Sequence, residues 1–220
     1  VEYFKITDSN QSTSFVSNIE KIIKEHSISQ IEYQEPDEYR VDEDLKTLKS
    51  FGLVVKMVSS EHFLTDRADL KEMFVGKKTY LMESFYRKMR VKWSVLVDAN
   101  DQPLEGKWNF DHENRKKWDS KRAVPPPFEF SHDARSLVEE LKSAKVKTMG
   151  RIDPSRSVWP INRIEAMQVF HYFLEWLLPL FGDFQDSMVQ NERFLFHSRI
   201  SFALNVKMLH PLEVIQAVER

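Results

Sequence analysis

The 220-residue chain contains no cysteine and only five glycines. The first absence removes disulfides, thiolate nucleophiles and every cysteine-ligated zinc or iron–sulfur centre from these residues. The second leaves no glycine-rich phosphate loop; GxGxxG, the P-loop pattern, HExxH and GxSxG are all missing. No apolar run is long enough to span a bilayer, and no signal-peptide pattern opens the chain. The expectation is a cytoplasmic protein with no membrane association. Neither sign of charge dominates: 32 Lys and Arg against 34 Asp and Glu give −2 at pH 7. A near-neutral sum still permits a local basic groove, so the distribution of charge matters more.

What is present supports a real core, with 41% hydrophobic and 12% aromatic residues. The length holds one large domain or two small ones. The first third alternates strand-like and helix-like patterns. "VEYFKI" reads as a strand, and in "SFVSNIEKIIKEH" Phe15, Ile19, Ile22 and Ile23 recur at helical spacing. "QIEYQEP" follows as a strand, then a helix over "EYRVDEDLKTLKSFG" stopped by Gly52, then the apolar strand "LVVKMV". This alternation predicts an incomplete parallel α/β sheet of three strands. Val1 opens directly on a strand pattern and the last residues stop inside a helical one, so an internal piece of a longer protein is expected.

A short helix around "DRADLKEMFVGKK" precedes "TYLMESFYRKMRVKWSVLV". There Leu81, Phe85, Met89 and Val95 mark one face, and Arg87, Lys88, Arg90 and Lys92 crowd the other. That basic side is either a solvated face or a phosphate-facing one. Periodicity then fades through residues 98–160, which contain "KWNFDHENRKKW" (Lys107 to Trp118) and three consecutive prolines that forbid a helix. One helix, "SHDARSLVEELKSAKV", interrupts this stretch, with Ser131 as its expected N-cap. A segment so long and aperiodic reads as an interdomain connector.

The last quarter is helical. In "NRIEAMQVFHYFLEWLLPLFG", capped by Asn162, Met167, Phe170, Leu174, Leu177 and Phe181 form an apolar stripe that Phe173, Trp176 and Leu178 widen. Downstream, His197, Ser198 and Ser201 in "FLFHSRISFALN" precede a further apolar helical run. Hydroxyls and free backbone N–H groups at a helix start can take an anion, or simply cap the helix. His62, His132, His171 and His210 show no ligand spacing.

Taken together, "GKWNFDHENRKKW" and "FGDFQDSM…FLFHSRISFALNVKMLHPLEVI" resemble the photolyase–cryptochrome superfamily. More narrowly they resemble its iron–sulfur bacterial branch, the prokaryotic (6-4) photolyases and their cryptochrome relatives. "EPDEYR", "GKKTYLMESFYRKMR" and Asn162-Arg163 match the same branch in the same order, so the resemblance runs through nearly the whole chain.

The resemblance implies a fold: a partial Rossmann-like α/β antenna domain over 1–78, a helix plus interdomain connector over 79–160, and the start of an all-α FAD-binding domain over 161–220. It implies FAD and a ribityl-lumazine-type antenna as cofactors. "HSRIS" matches the segment that cradles the flavin pyrophosphate, which assigns His197, Ser198, Ile200 and Ser201 to the cofactor, with Gln185 approaching from another side. Asp111 and Arg115 match positions beside a lesion in UV-damaged DNA, and Glu35, just past a strand end, borders the antenna pocket. No catalytic residue and no metal ligand is assigned here. The family's catalytic histidine, its four cluster cysteines and most flavin contacts lie further along, so the 4Fe–4S cluster belongs to the parent protein. This piece alone is expected to be inactive, and the parent to be a monomeric light-driven DNA-repair lyase. A photoreceptor without repair activity and a non-enzymatic scaffold for an anionic partner are the alternatives.

Overall fold

The computed structural model describes residues 1–8, 14–119, 121 and 123–220. In chain order its elements are α1 (Phe15–His26), β1 (Gln30–Gln34), α2 (Tyr39–Lys46), β2 (Val54–Val58), α3 (Arg67–Phe74), α4 (Met82–Lys92), α5 (Arg135–Ser143), α6 (Arg163–Tyr172), α7 (Leu178–Phe184), α8 (Ser201–Asn205) and α9 (Pro211–Glu219). Packing gathers them into two units. One holds residues 1–61 and 133–155, the other 62–132 and 156–220.

The first unit is a small α/β assembly. β1 and β2 pair in parallel, with Gln30 opposite Val54 and Gln34 opposite Val58, and the Glu35 N–H continues the ladder to the Val58 carbonyl at 2.7 Å. Parallel neighbours need a crossover; α2 and a 3₁₀ turn over Thr47–Phe51 supply it. Gly52 ends that turn at φ 72°, a left-handed conformation that glycine adopts without a Cβ penalty. Among the described residues Leu45 and Leu48 are the buried apolar side chains of this unit, and the neighbouring Asp42, also buried, is paired with Lys46 at 2.9 Å. Glu43 and then Asp42 hold the Lys46 ammonium above the ordinary lysine range.

Two expectations for this unit are corrected. Val1–Ile6 is not a strand: Val1 and Tyr3 are exposed, and the segment closes on itself where the Asp8 N–H bonds the Lys5 carbonyl. A β pattern becomes a strand only by pairing, so the sheet among the described residues has two strands rather than three. Nor does Ser131 cap α5. That helix starts at Arg135, because His132 is held extended by reciprocal backbone bonds with Ser157.

The second unit is helical. Asp66 and Asp69 form a reciprocal capping box at the start of α3. Asn162 caps α6 as expected, accepting from the Glu165 N–H at 2.9 Å. Between α6 and α7, residues Phe173–Leu177 form a π-helical turn. Pro179 explains the widening: it has no N–H for the Glu175 carbonyl and its ring would crowd that turn. The core joins Phe170, Phe173 and Leu177 to Leu195, Phe196, Ile200 and Leu209. Trp176, expected to widen the apolar stripe, is exposed instead.

Candidate functional site

Two tryptophans fix the connector within the second unit. Trp108 lies under the guanidinium groups of Arg87 and Arg90, 5.6 and 4.9 Å from its ring centre. Arg90 also donates to the Val95 and Leu96 carbonyls. On the same helix Lys88 donates to the Met73 carbonyl at 2.8 Å, Lys92 pairs with Asp69 and Arg87 with Glu83. All four cations of the basic face therefore have partners inside the fold. Trp118 is the deeper anchor. It is buried edge-on against Phe184 and Phe196, at 5.2 and 5.3 Å. Phe110 remains 40% exposed beside Lys107 and anchors nothing comparable.

Between these anchors the chain is strapped to the end of α7. The Lys116 N–H donates to the Asp183 carbonyl, the Asp186 N–H to the Asn114 carbonyl, and the Ser187 hydroxyl to the Lys116 carbonyl at 2.5 Å. Lys116 Nζ also reaches Asp183 Oδ1 at 2.6 Å. Side chains near the strap meet in a depression lined by Arg115, Gln185, Asp186, Ser187, Met188 and His197. There Arg115 Nε lies 3.2 Å from Asp186 Oδ2, and His197 Nε2 lies 2.7 Å from the Gln185 carbonyl oxygen. Arg115, expected at DNA, thus shares one depression with Gln185 and His197, expected at flavin.

His197 also borders a second cavity of about 230 Å³. Ser198 and Arg199 line it on one side, and Pro125–Pro127, Phe128 and Tyr172 on another. Ser201 begins α8 and is exposed, with Ile200 preceding it as the capping residue. Ile200 itself is buried in the core, so its side chain supports the segment from beneath. Asp111 is exposed, its N–H held by Asn109 Oδ1 at 2.7 Å, and does not line the depression. Glu35 is half-buried in the first unit, immediately past the end of β1. Of the two hydroxyls expected at a flavin phosphate, Ser198 lines this cavity, whereas Ser201 lines neither the cavity nor the depression. Among the described residues no cluster of three or more His, Cys, Asp or Glu could hold a metal ion.

Two polar residues escaped the sequence reading. Arg199 stands on a left-handed backbone (φ 56°) with a side chain only 9% exposed. Its guanidinium lies 4.1 Å from the Phe194 ring centre, donates to the Phe128 carbonyl at 3.3 Å and faces Glu129 at 3.9 Å. Nε has no partner among the described residues, and burial lowers the guanidinium below the ordinary arginine range. Asn114 is buried with Oδ1 likewise unpartnered. No local pattern signals either one, because their burial comes from distant segments.

The family model for deoxyribodipyrimidine photo-lyase-related protein matches residues 1–156. The chain belongs to that family. It is also 30% identical over 223 residues to a (6-4) photolyase of Agrobacterium fabrum (strain C58 / ATCC 33970). The match takes in 100% of this chain and 43% of that relative, so the photolyase-related chain spans less than half the relative's length.

Proposed function

We propose that this photolyase-related chain is part of a light-dependent DNA-repair flavoprotein acting on UV pyrimidine photoproducts. The observation that carries the reading is the depression where Arg115 meets Gln185 and His197. A site that moves an electron between a cofactor and a damaged base needs binding groups for both in one place.

In this reading residues 1–78 form a partial Rossmann-like antenna domain, with Glu35 bordering a ribityl-lumazine-type chromophore. Residues 161–220 begin an all-α FAD-binding domain, and residues 79–160 carry the connector. Reduced FAD, when bound and excited by light, supplies the electron. The chain's own residues bind and orient. Ser198 and Ser201 offer hydroxyls to the pyrophosphate. His197 fixes the Gln185 backbone. Arg115 grips DNA through phosphate or a base face, and Asp111 accepts hydrogen bonds from the lesion. With no cysteine in the chain, nothing here can ligate a 4Fe–4S cluster, and no step is assigned to one.

The test is a blue-light repair assay on the intact protein with oligonucleotides carrying defined photoproducts. Restoration of the pyrimidines is the expected result. A preparation whose flavin photoreduces normally but restores no lesion overturns the enzyme reading and leaves the photoreceptor. A colourless protein that never binds flavin leaves only the scaffold.

A further inference from the structure

Asp186 was not singled out by its sequence pattern, yet it is the residue most closely engaged with Arg115. Among the described residues its carboxylate takes only the Arg115 Nε, at 3.2 Å. The two terminal nitrogens of that guanidinium have no partner among the described residues, and the side chain is 74% exposed. A guanidinium engaged through Nε leaves the N–H groups of both terminal nitrogens available to another acceptor. Asp186 is itself fixed: its N–H bonds the Asn114 carbonyl, and the next residue, Ser187, bonds the Lys116 carbonyl. These two bonds bracket Arg115 from either side.

We propose that Asp186 is a positioning residue that pre-orients Arg115 so that its terminal nitrogens meet nucleic acid. The proposal rests on the reading of Arg115 as a DNA contact. A free arginine side chain must surrender its rotamer freedom on binding, and a carboxylate that has already oriented it lowers that cost. The alternative role for an acidic group beside a DNA-contacting arginine is simple repulsion of the phosphates. The two roles give opposite signs when the charge is removed.

The experiment measures binding of the intact flavin-loaded protein to a UV-photoproduct oligonucleotide across a salt series. The variants are Asp186→Asn, Arg115→Ala, their combination, and Asp186→Glu. Asp186→Asn is expected to weaken binding about two- to fivefold, the range an exposed ion pair supports. It should have no further effect in the Arg115→Ala background, and Asp186→Glu should restore part of the loss. Unchanged flavin spectrum and thermal midpoint separate this from misfolding. Tighter binding by Asp186→Asn, or equal weakening with and without Arg115, overturns the proposal while leaving the DNA role of Arg115 intact. No effect of Arg115→Ala itself removes both.

Discussion

His197 Nε2 lies 2.7 Å from the carbonyl oxygen of Gln185. A carbonyl can only accept, so in this bond the His197 Nε2 is the donor. The bond ties the "HSRIS" segment to the end of α7 and forms the rim between the two cavities. His197→Ala is therefore expected to lower global stability by about 1 kcal/mol, the usual net worth of such a bond. It should also speed amide hydrogen exchange in residues 185–188. Urea denaturation and exchange mass spectrometry read the two effects; unchanged exchange in that segment would show that the bond does not hold it.

Ser198→Ala combined with Ser201→Ala is expected to weaken flavin retention in the intact protein. Each hydroxyl contributes roughly 0.5–1.5 kcal/mol if it makes an ordinary hydrogen bond to phosphate. Flavin content after gel filtration measures it. Full occupancy in the double variant counts against the pyrophosphate assignment.

Trp118 separates packing from chemistry in the connector. Trp118→Ala removes a ring wedged against Phe184 and Phe196 and is expected to cost about 3–5 kcal/mol of stability. Trp118→Phe keeps an aromatic face there and should cost far less. A thermal or denaturant midpoint decides; equal losses for both would point to the indole N–H rather than the ring.

Acid sensitivity is expected at the start of α6. The Glu165 carboxylate accepts from the Ile161 N–H, which is the chief influence holding it below the ordinary glutamate range, with His132 adding to it against the opposing effect of burial. A carboxyl lowered on folding contributes stability above its unfolded pKa and loses it as pH falls through the folded one. The loss therefore lies below the usual glutamate value, at roughly pH 4 and lower. Glu165→Ala should flatten the acid limb of the stability–pH curve. An unchanged slope there removes Glu165 as its source.

Arg199 and Glu129 form a loose, mostly buried pair at 3.9 Å. Glu129→Ala leaves the Arg199 charge buried with less compensation and is expected to cost about 1–3 kcal/mol. That falls below the figure for a fully buried pair, because Glu129 keeps some water contact. Arg199→Met removes the charge while keeping the volume and is expected to cost less than Glu129→Ala. The reverse order, by denaturant titration, would show that the bond to the Phe128 carbonyl matters more than the charge.

Much of this molecule was legible in short windows of sequence. The Asn162 cap, the Gly52 stop, the helices at α1 to α4 and the strands β1 and β2 follow from residues within a few positions of one another. So did the family, because its motifs are contiguous strings. Local periodicity and capping are near-neighbour physics, and a reader of sequence sees them directly.

The tertiary structure decided what depends on distant chain meeting. Val1–Ile6 carries a strand pattern, but without a partner ladder it stays irregular. The backbone of Ser157 holds His132 extended and moves the start of α5 past Ser131 to Arg135. In "KWNFDHENRKKW" the rings of Trp108 and Phe110 read as anchors and Asp111 and Arg115 as the side chains left free, with nothing to single out Trp118. The fold buries Trp118, stacks two arginines on Trp108, and leaves Arg115 reaching out beside Asp186, 71 positions away in sequence. Composition supplied the side chains; only closing a loop of that length could set them side by side, because such a contact leaves no periodic trace in the sequence.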